Sequence, residues 1–166
     1  MTRGVSEETD RWLTAARRAL VSGTLASVFS TGVLAWLGHR HLGRPFAPTN
    51  ATSHWLWGDL ESFSSLRPSF RHTGIGYGTH HASALMWALF FERWLAQDRS
   101  PNASTIITRA ALMTAIAAFV DYQLTPKRLT PGFEAHLNGT SMVGVFAAIG
   151  VGLATGAILN RRRSAH

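Results

Sequence analysis

The residues best equipped for chemistry in this chain are histidines and carboxylates, and order along the chain groups them better than any motif does. His39, His41, His54, Asp59, Glu61, His72, His80, His81, Asp121, Glu134 and His136 take in all but one of the eight histidines. Imidazole and carboxylate together suit zinc or non-haem iron. Two histidines with one or two carboxylates leave a coordination position open, where bound water becomes acidic or oxygen binds. Without a metal, the same groups can work as an acid–base pair or a proton relay, because histidine titrates near neutral pH. The candidate metal ligands are His81, Asp121, Glu134 and His136, with His80 a further possibility. Against that reading, the chain has no H-E-x-x-H, H-x-x-x-H or E-x-x-H spacing. On a helix, His80 and His81 point about 100° apart, which rarely serves one metal. The competing reading is a polar cluster that ties loops to helix ends.

Those residues need elements to gather them, and the apolar runs supply candidates. Four stretches, 19–38, 78–97, 105–124 and 140–159, are long and apolar enough to read as membrane helices. Threaded through a bilayer, they place the histidines above on one side. The expectation is therefore an all-α integral membrane four-helix bundle, a single domain over 1–166, with a long extramembrane loop at 39–77. Only 15% of the residues are charged, against roughly 25% in ordinary soluble domains. The mean hydropathy of +0.05 averages over strong segregation. The stretch 78–97 is the weakest, because His80 and His81 precede its apolar core and Glu92 and Arg93 follow it. The stretch 19–38 is read as a retained helix and not a signal peptide, since no small-x-small cleavage site follows it. The polar stretch before it suits a separate short amphipathic helix through Trp12 and Leu13.

Basic residues orient the chain. Arg3, Arg11, Arg17, Arg18, Arg93, Arg99, Arg109 and Arg161 to Arg163 fall on the side of the termini, and fewer fall opposite. Both termini are thus expected in the cytoplasm. The net charge of +7 does not suggest nucleic acid, because the cations flank apolar runs instead of alternating with aromatics. Lys127 is the only lysine among 16 basic residues, and alanine and glycine are abundant, as in proteins of GC-rich bacteria. No cysteine is present, which excludes disulfides and thiolate ligands.

Spacing also predicts packing. Ala19, Gly23, Ser27, Thr31 and Ala35 recur every fourth residue, as do Thr140, Gly144, Ala148, Gly152 and Gly156. Small residues on one face let helices approach closely in lipid, so the first and fourth helices are expected to cross tightly. On the third, Ala110, Thr114, Ala117, Ala118 and Asp121 mark an inward face. On the second, His81, Leu85, Ala88 and Glu92 are expected to face inward, with His80, Trp87, Phe91 and Trp94 toward lipid. Glu92 and Arg109 should pair.

The loop after the third helix holds two Thr-Pro pairs and Gly132, a rigid connector carrying Glu134 and His136. Its Lys127 and Arg128 could meet anionic lipid headgroups. The segment 54–63, with Trp55 and Trp57 beside charges, suits either an amphipathic turn at the headgroups or a loop that caps the bundle on its outer face. Gly74-Ile-Gly-Tyr-Gly78 follows no strand, so it makes a poor phosphate loop. The functional expectation is a small polytopic protein of a bacterial inner membrane, structural or interacting and not catalytic, with its polar cluster at the periplasmic face. Its partners would be the bilayer, a second copy or another membrane protein. The alternative is a zinc- or iron-dependent membrane enzyme acting on a lipid or other apolar substrate at the outer leaflet. A transporter fits less well, as no charge sits at mid-depth.

Overall fold

The computed structural model describes residues 2–98 and 100–164, with side chains described from 7 to 163. Arg99, the side chain of Arg3 and His166 lie outside the described residues. The described residues form helices and connecting turns, with no strand. The long helices are α1 (Thr2–Leu42), α5 (Ile75–Leu95), α6 (Ala103–Phe119) and α7 (Gly139–Ser164). Between α1 and α5 lie three short ones, α2 (Ala47–Ala51), α3 (His54–Trp57) and α4 (Asp59–Ser64). Three helical segments are long and apolar enough to cross a membrane: Glu7–Leu42, Ala103–Leu124 and Gly139–Arg163, with mean hydropathies of 1.6, 1.6 and 2.2. The helix α5 is not among them.

The expected break near Arg18 is absent, and α1 runs unbroken for 41 residues. At 1.5 Å per residue it is roughly 60 Å long, about twice a hydrocarbon core. No proline interrupts it, and it stops where Gly43 takes φ +65 ahead of Pro45.

α1 packs most extensively on α7 and next on α5, while α6 leans mainly on α7. The close approach of α1 and α7 matches the spacing of small residues, but only over part of the stripe. A side chain at Gly152 would run into the Ala26 backbone, and one at Gly156 into that of Ser22. Gly144 is open, and Gly23 faces α5 instead, with a Cβ there 2.9 Å from Leu85 Cα. The stripe on α1 therefore divides between two neighbours. On α6, Ala110, Thr114 and Ala117 are buried as expected.

One apolar core draws on all four long helices, through residues such as Ala26, Phe91, Ala110 and Leu153. A second lies toward the C-terminal end of α1, built by Leu34, Phe133, Leu137, Val145 and Phe146. Above it the segment expected as a loop folds back as a cap. All five residues of α2 are buried. The Gly74–Gly78 run lies in helical backbone, with Gly76 lying directly under the Thr49 carbonyl.

Candidate functional site

The cap and the adjacent helix ends gather most of the histidines, and serine is their commonest partner. His80 Nε2 meets Ser30 Oγ at 2.7 Å and His81 Nδ1 meets Ser27 Oγ at 2.8 Å, both joining α5 to α1. His41 Nε2 lies 3.2 Å from Ser141 Oγ, joining α1 to α7. Within the cap, His72 Nδ1 lies 3.1 Å from Ser53 Oγ, and its Nε2 is 3.5 Å from Glu61, which also pairs with Arg71 at 2.8 Å. A hydroxyl both donates and accepts, so each pair satisfies a ring nitrogen with no net charge required.

Both adjacent histidines thus turn toward α1, and His80 is the more buried at 7% exposure. The expected assignment of His80 to lipid is corrected. The buried residues of α5 include Gly76, His80, Ala84, Ala88 and Glu92, so Ala88 and Glu92 face inward as expected while His80 and Ala84 are more deeply buried than His81 and Leu85. Small residues mark the inward face because they allow backbones to approach, whatever the polarity of their neighbours. Phe91, also expected toward lipid, is fully buried.

His54 is 1% exposed. Its Nδ1 meets Asp59 Oδ1 at 2.7 Å, and its Nε2 donates to the Thr130 carbonyl at 2.9 Å. Trp55 Nε1 donates to the same carbonyl at 2.8 Å, which straps α3 to the loop between α6 and α7. That loop can lie so close because Gly132 adopts φ +89, with any Cβ only 2.8 Å from the Ala51 carbonyl oxygen. Asn50, fully buried, donates to the Ser65 and Arg67 carbonyls and accepts from Thr73 Oγ1 at 2.6 Å. It is the central stitch of the cap, and nothing in the sequence distinguishes it from an ordinary loop asparagine.

The remaining candidates have separate surroundings. Glu134 accepts from Thr130 Oγ1 at 2.6 Å and Tyr122 Oη at 3.1 Å. Asp121 sits in a widened turn, Val120–Leu124, that ends the α6 segment, close enough to Glu134 for the two carboxylates to repel. His136 is half-buried, with its Nε2 enclosed and unpartnered. Burial lowers its pKa, and donation to the Phe63 backbone partly offsets this. Among the described residues, no three His, Asp or Glu side chains come together where they could hold a metal ion. The structure does not bring His81, Asp121, Glu134 and His136 together as one such group.

A cavity of about 190 Å³ lies beneath the cap, between α5, α6 and the 125–133 loop. Trp55, Trp87, Phe133 and Phe146 wall it, and Thr52, Ser83, His80, Asp121 and Thr125 are the polar residues of its lining. A larger groove of about 790 Å³ along α6 and α7 has an almost wholly apolar lining.

The opposite end is organised by charge. Glu92 has no solvent exposure, and its two oxygens accept from Asn160 Nδ2 at 3.3 Å and Arg161 Nη1 at 3.5 Å. Asn160 Nδ2 also donates to the Arg18 carbonyl at 2.9 Å. The expected partner, Arg109, instead donates to the Trp94 carbonyl at 3.0 Å and lies over the Trp94 ring. Arginine reaches carbonyl and ring together because its planar head offers both edge donors and a face.

No family model, no curated protein and no solved structure matches the chain.

Proposed function

We propose that the chain is a multi-pass protein of a bacterial inner membrane, a four-helix bundle with both termini in the cytoplasm and the cap on the periplasmic side. It acts as a structural or interaction protein, in contact with the bilayer and with a second copy or another membrane protein, and not as a catalyst. The observation that carries this reading is how the polar groups at the cap are used. Four histidines bind serines on neighbouring elements, His54 straps the cap to a loop, and Glu134 holds two hydroxyls.

The fourth crossing, α5, is supported by where its polar atoms point. His80, His81 and Glu92 all bond to α1 or α7, so lipid would meet Met86 and Phe90 instead. Average hydropathy counts side chains that lipid never touches. At the cap, Leu60 at 91% and Phe70 at 87% exposure project outward, as suits an element seated at headgroups. Lys127 and Arg128 on the neighbouring loop are exposed and placed to meet anionic lipid.

Metal content decides between this reading and a metalloenzyme. Detergent-purified protein, with any affinity tag removed, is measured by mass spectrometry beside Asp121→Ala and His136→Ala. The expected result is no stoichiometric zinc or iron in any of the three. Near-stoichiometric metal in the wild type, lost in both variants, would overturn the non-catalytic reading.

A further inference from the structure

We propose that the cavity beneath the cap is a binding site for a small lipophilic amine, its ammonium held by Asp121 and its apolar body lodged among the aromatic walls. Asp121 lines the cavity, is half-buried and has no hydrogen bond among the described residues. Its neighbour Glu134 already holds two hydroxyls, so the two carboxylates are used differently. Their mutual repulsion is relieved by a cation. Among the described residues, no lysine or arginine lines the cavity to supply one.

Thr52 lines the same cavity at 2% exposure, and its Oγ1 is enclosed with no hydrogen-bond partner. Buried hydroxyls are rarely left unpaired, since desolvation without a bond is unfavourable. An ammonium offers three donors, enough for both oxygens of the Asp121 carboxylate. His80 does not compete for it, because its Nε2 is held by Ser30.

The walls select the rest of the molecule. Trp55 and Trp87 present rings suited to a cation or its adjacent methylenes. Phe133 and Phe146 close the cavity with apolar surface. An anionic ligand would meet the Asp121 carboxylate and, among the described residues, no lining cation. A metal ion would leave the apolar walls unused.

The test compares hexylamine, hexanol and hexanoate on the full chain in detergent, read by tryptophan emission and thermal melting. It goes beyond the proposed role and does not depend on topology, so either can fail alone. Hexylamine is expected to bind saturably and raise the melting temperature, with hexanol weaker and hexanoate without effect. Asp121→Asn, nearly the same shape, is expected to weaken hexylamine by about tenfold or more. Ser83→Leu fills the cavity from α5 without altering either carboxylate and is expected to abolish binding, which keeps the test decisive if Asp121→Asn fails to fold. Equal responses to all three probes, or undiminished hexylamine binding in a folded variant of either kind, would overturn the proposal. Saturable zinc binding lost in Asp121→Asn, with no response to hexylamine, would also overturn it.

Discussion

The two ends of the helical body solve the same problem with different chemistry. At the cap, buried imidazoles face hydroxyls, and many modest hydrogen bonds are spread over α1, α5, α7 and the short helices. At the other end one fully buried carboxylate, Glu92, is held by Asn160 and Arg161 of α7. The difference teaches where each end is vulnerable. A distributed neutral network loses little with any one member. A buried charge that loses its partner is left uncompensated in a low dielectric.

The largest effect should therefore come from the charged end. Arg161→Ala strands Glu92 and is expected to cost about 3 kcal/mol, seen as a lower melting temperature in detergent. Arg161→Lys should recover much of that loss, because it restores a cation within reach. At the cap, Ser30→Ala or Ser27→Ala should cost only about 0.6 to 1.7 kcal/mol, the range of single interhelical hydrogen bonds in membrane proteins. Comparable losses at the two ends would break the contrast.

Acid should sharpen it. Burial holds His136 below its ordinary pKa, so the folded state favours the neutral ring. Its contribution is full above the unfolded value of about 6.5 and is lost as pH falls through the folded one. Melting temperature should decline between pH of about 7.5 and about 5, and decline less in His136→Asn. An identical decline in that variant would exclude His136 as the source. The smallest effect belongs to exposed Glu8, paired with the partly buried Arg93, where Glu8→Gln should leave melting almost unchanged at physiological salt.

The helical class and the α1–α7 approach were legible because small-residue spacing and apolar length are local signals. The inward face of α6 was legible for the same reason. On α5 the inward Ala88 and Glu92 were legible, but the burial of His80 and Phe91 was not, since bulky and polar residues look plausible on either face until Ser27 and Ser30 of α1 are opposite them. Proximity along the chain favours Arg109 as the partner of Glu92, whereas folding brings Asn160 and Arg161, near the end of α7, within reach of it. That 39–77 caps the bundle was legible as an alternative, but its short helices were not, because Pro45, Pro48 and Pro68 break any long periodicity. The roles of Asn50 and Thr52 depend on what surrounds them, which no local pattern reveals. The proposed gathering of His81, Asp121, Glu134 and His136 rested on a shared side, and a shared side does not fix which way each ring or carboxylate points.

The central claim is that α5 crosses the membrane with its polar groups turned inward. The chain has no cysteine, so single cysteines report position without background. Glu7→Cys, Gln97→Cys, Leu60→Cys and Lys127→Cys are each exposed to an impermeant maleimide in intact cells and in inverted vesicles. The account predicts that positions 60 and 127 label only in cells, and positions 7 and 97 only in inverted vesicles. Labelling of position 97 on the same side as position 60 would contradict it, because α5 would then lie along the membrane and not across it.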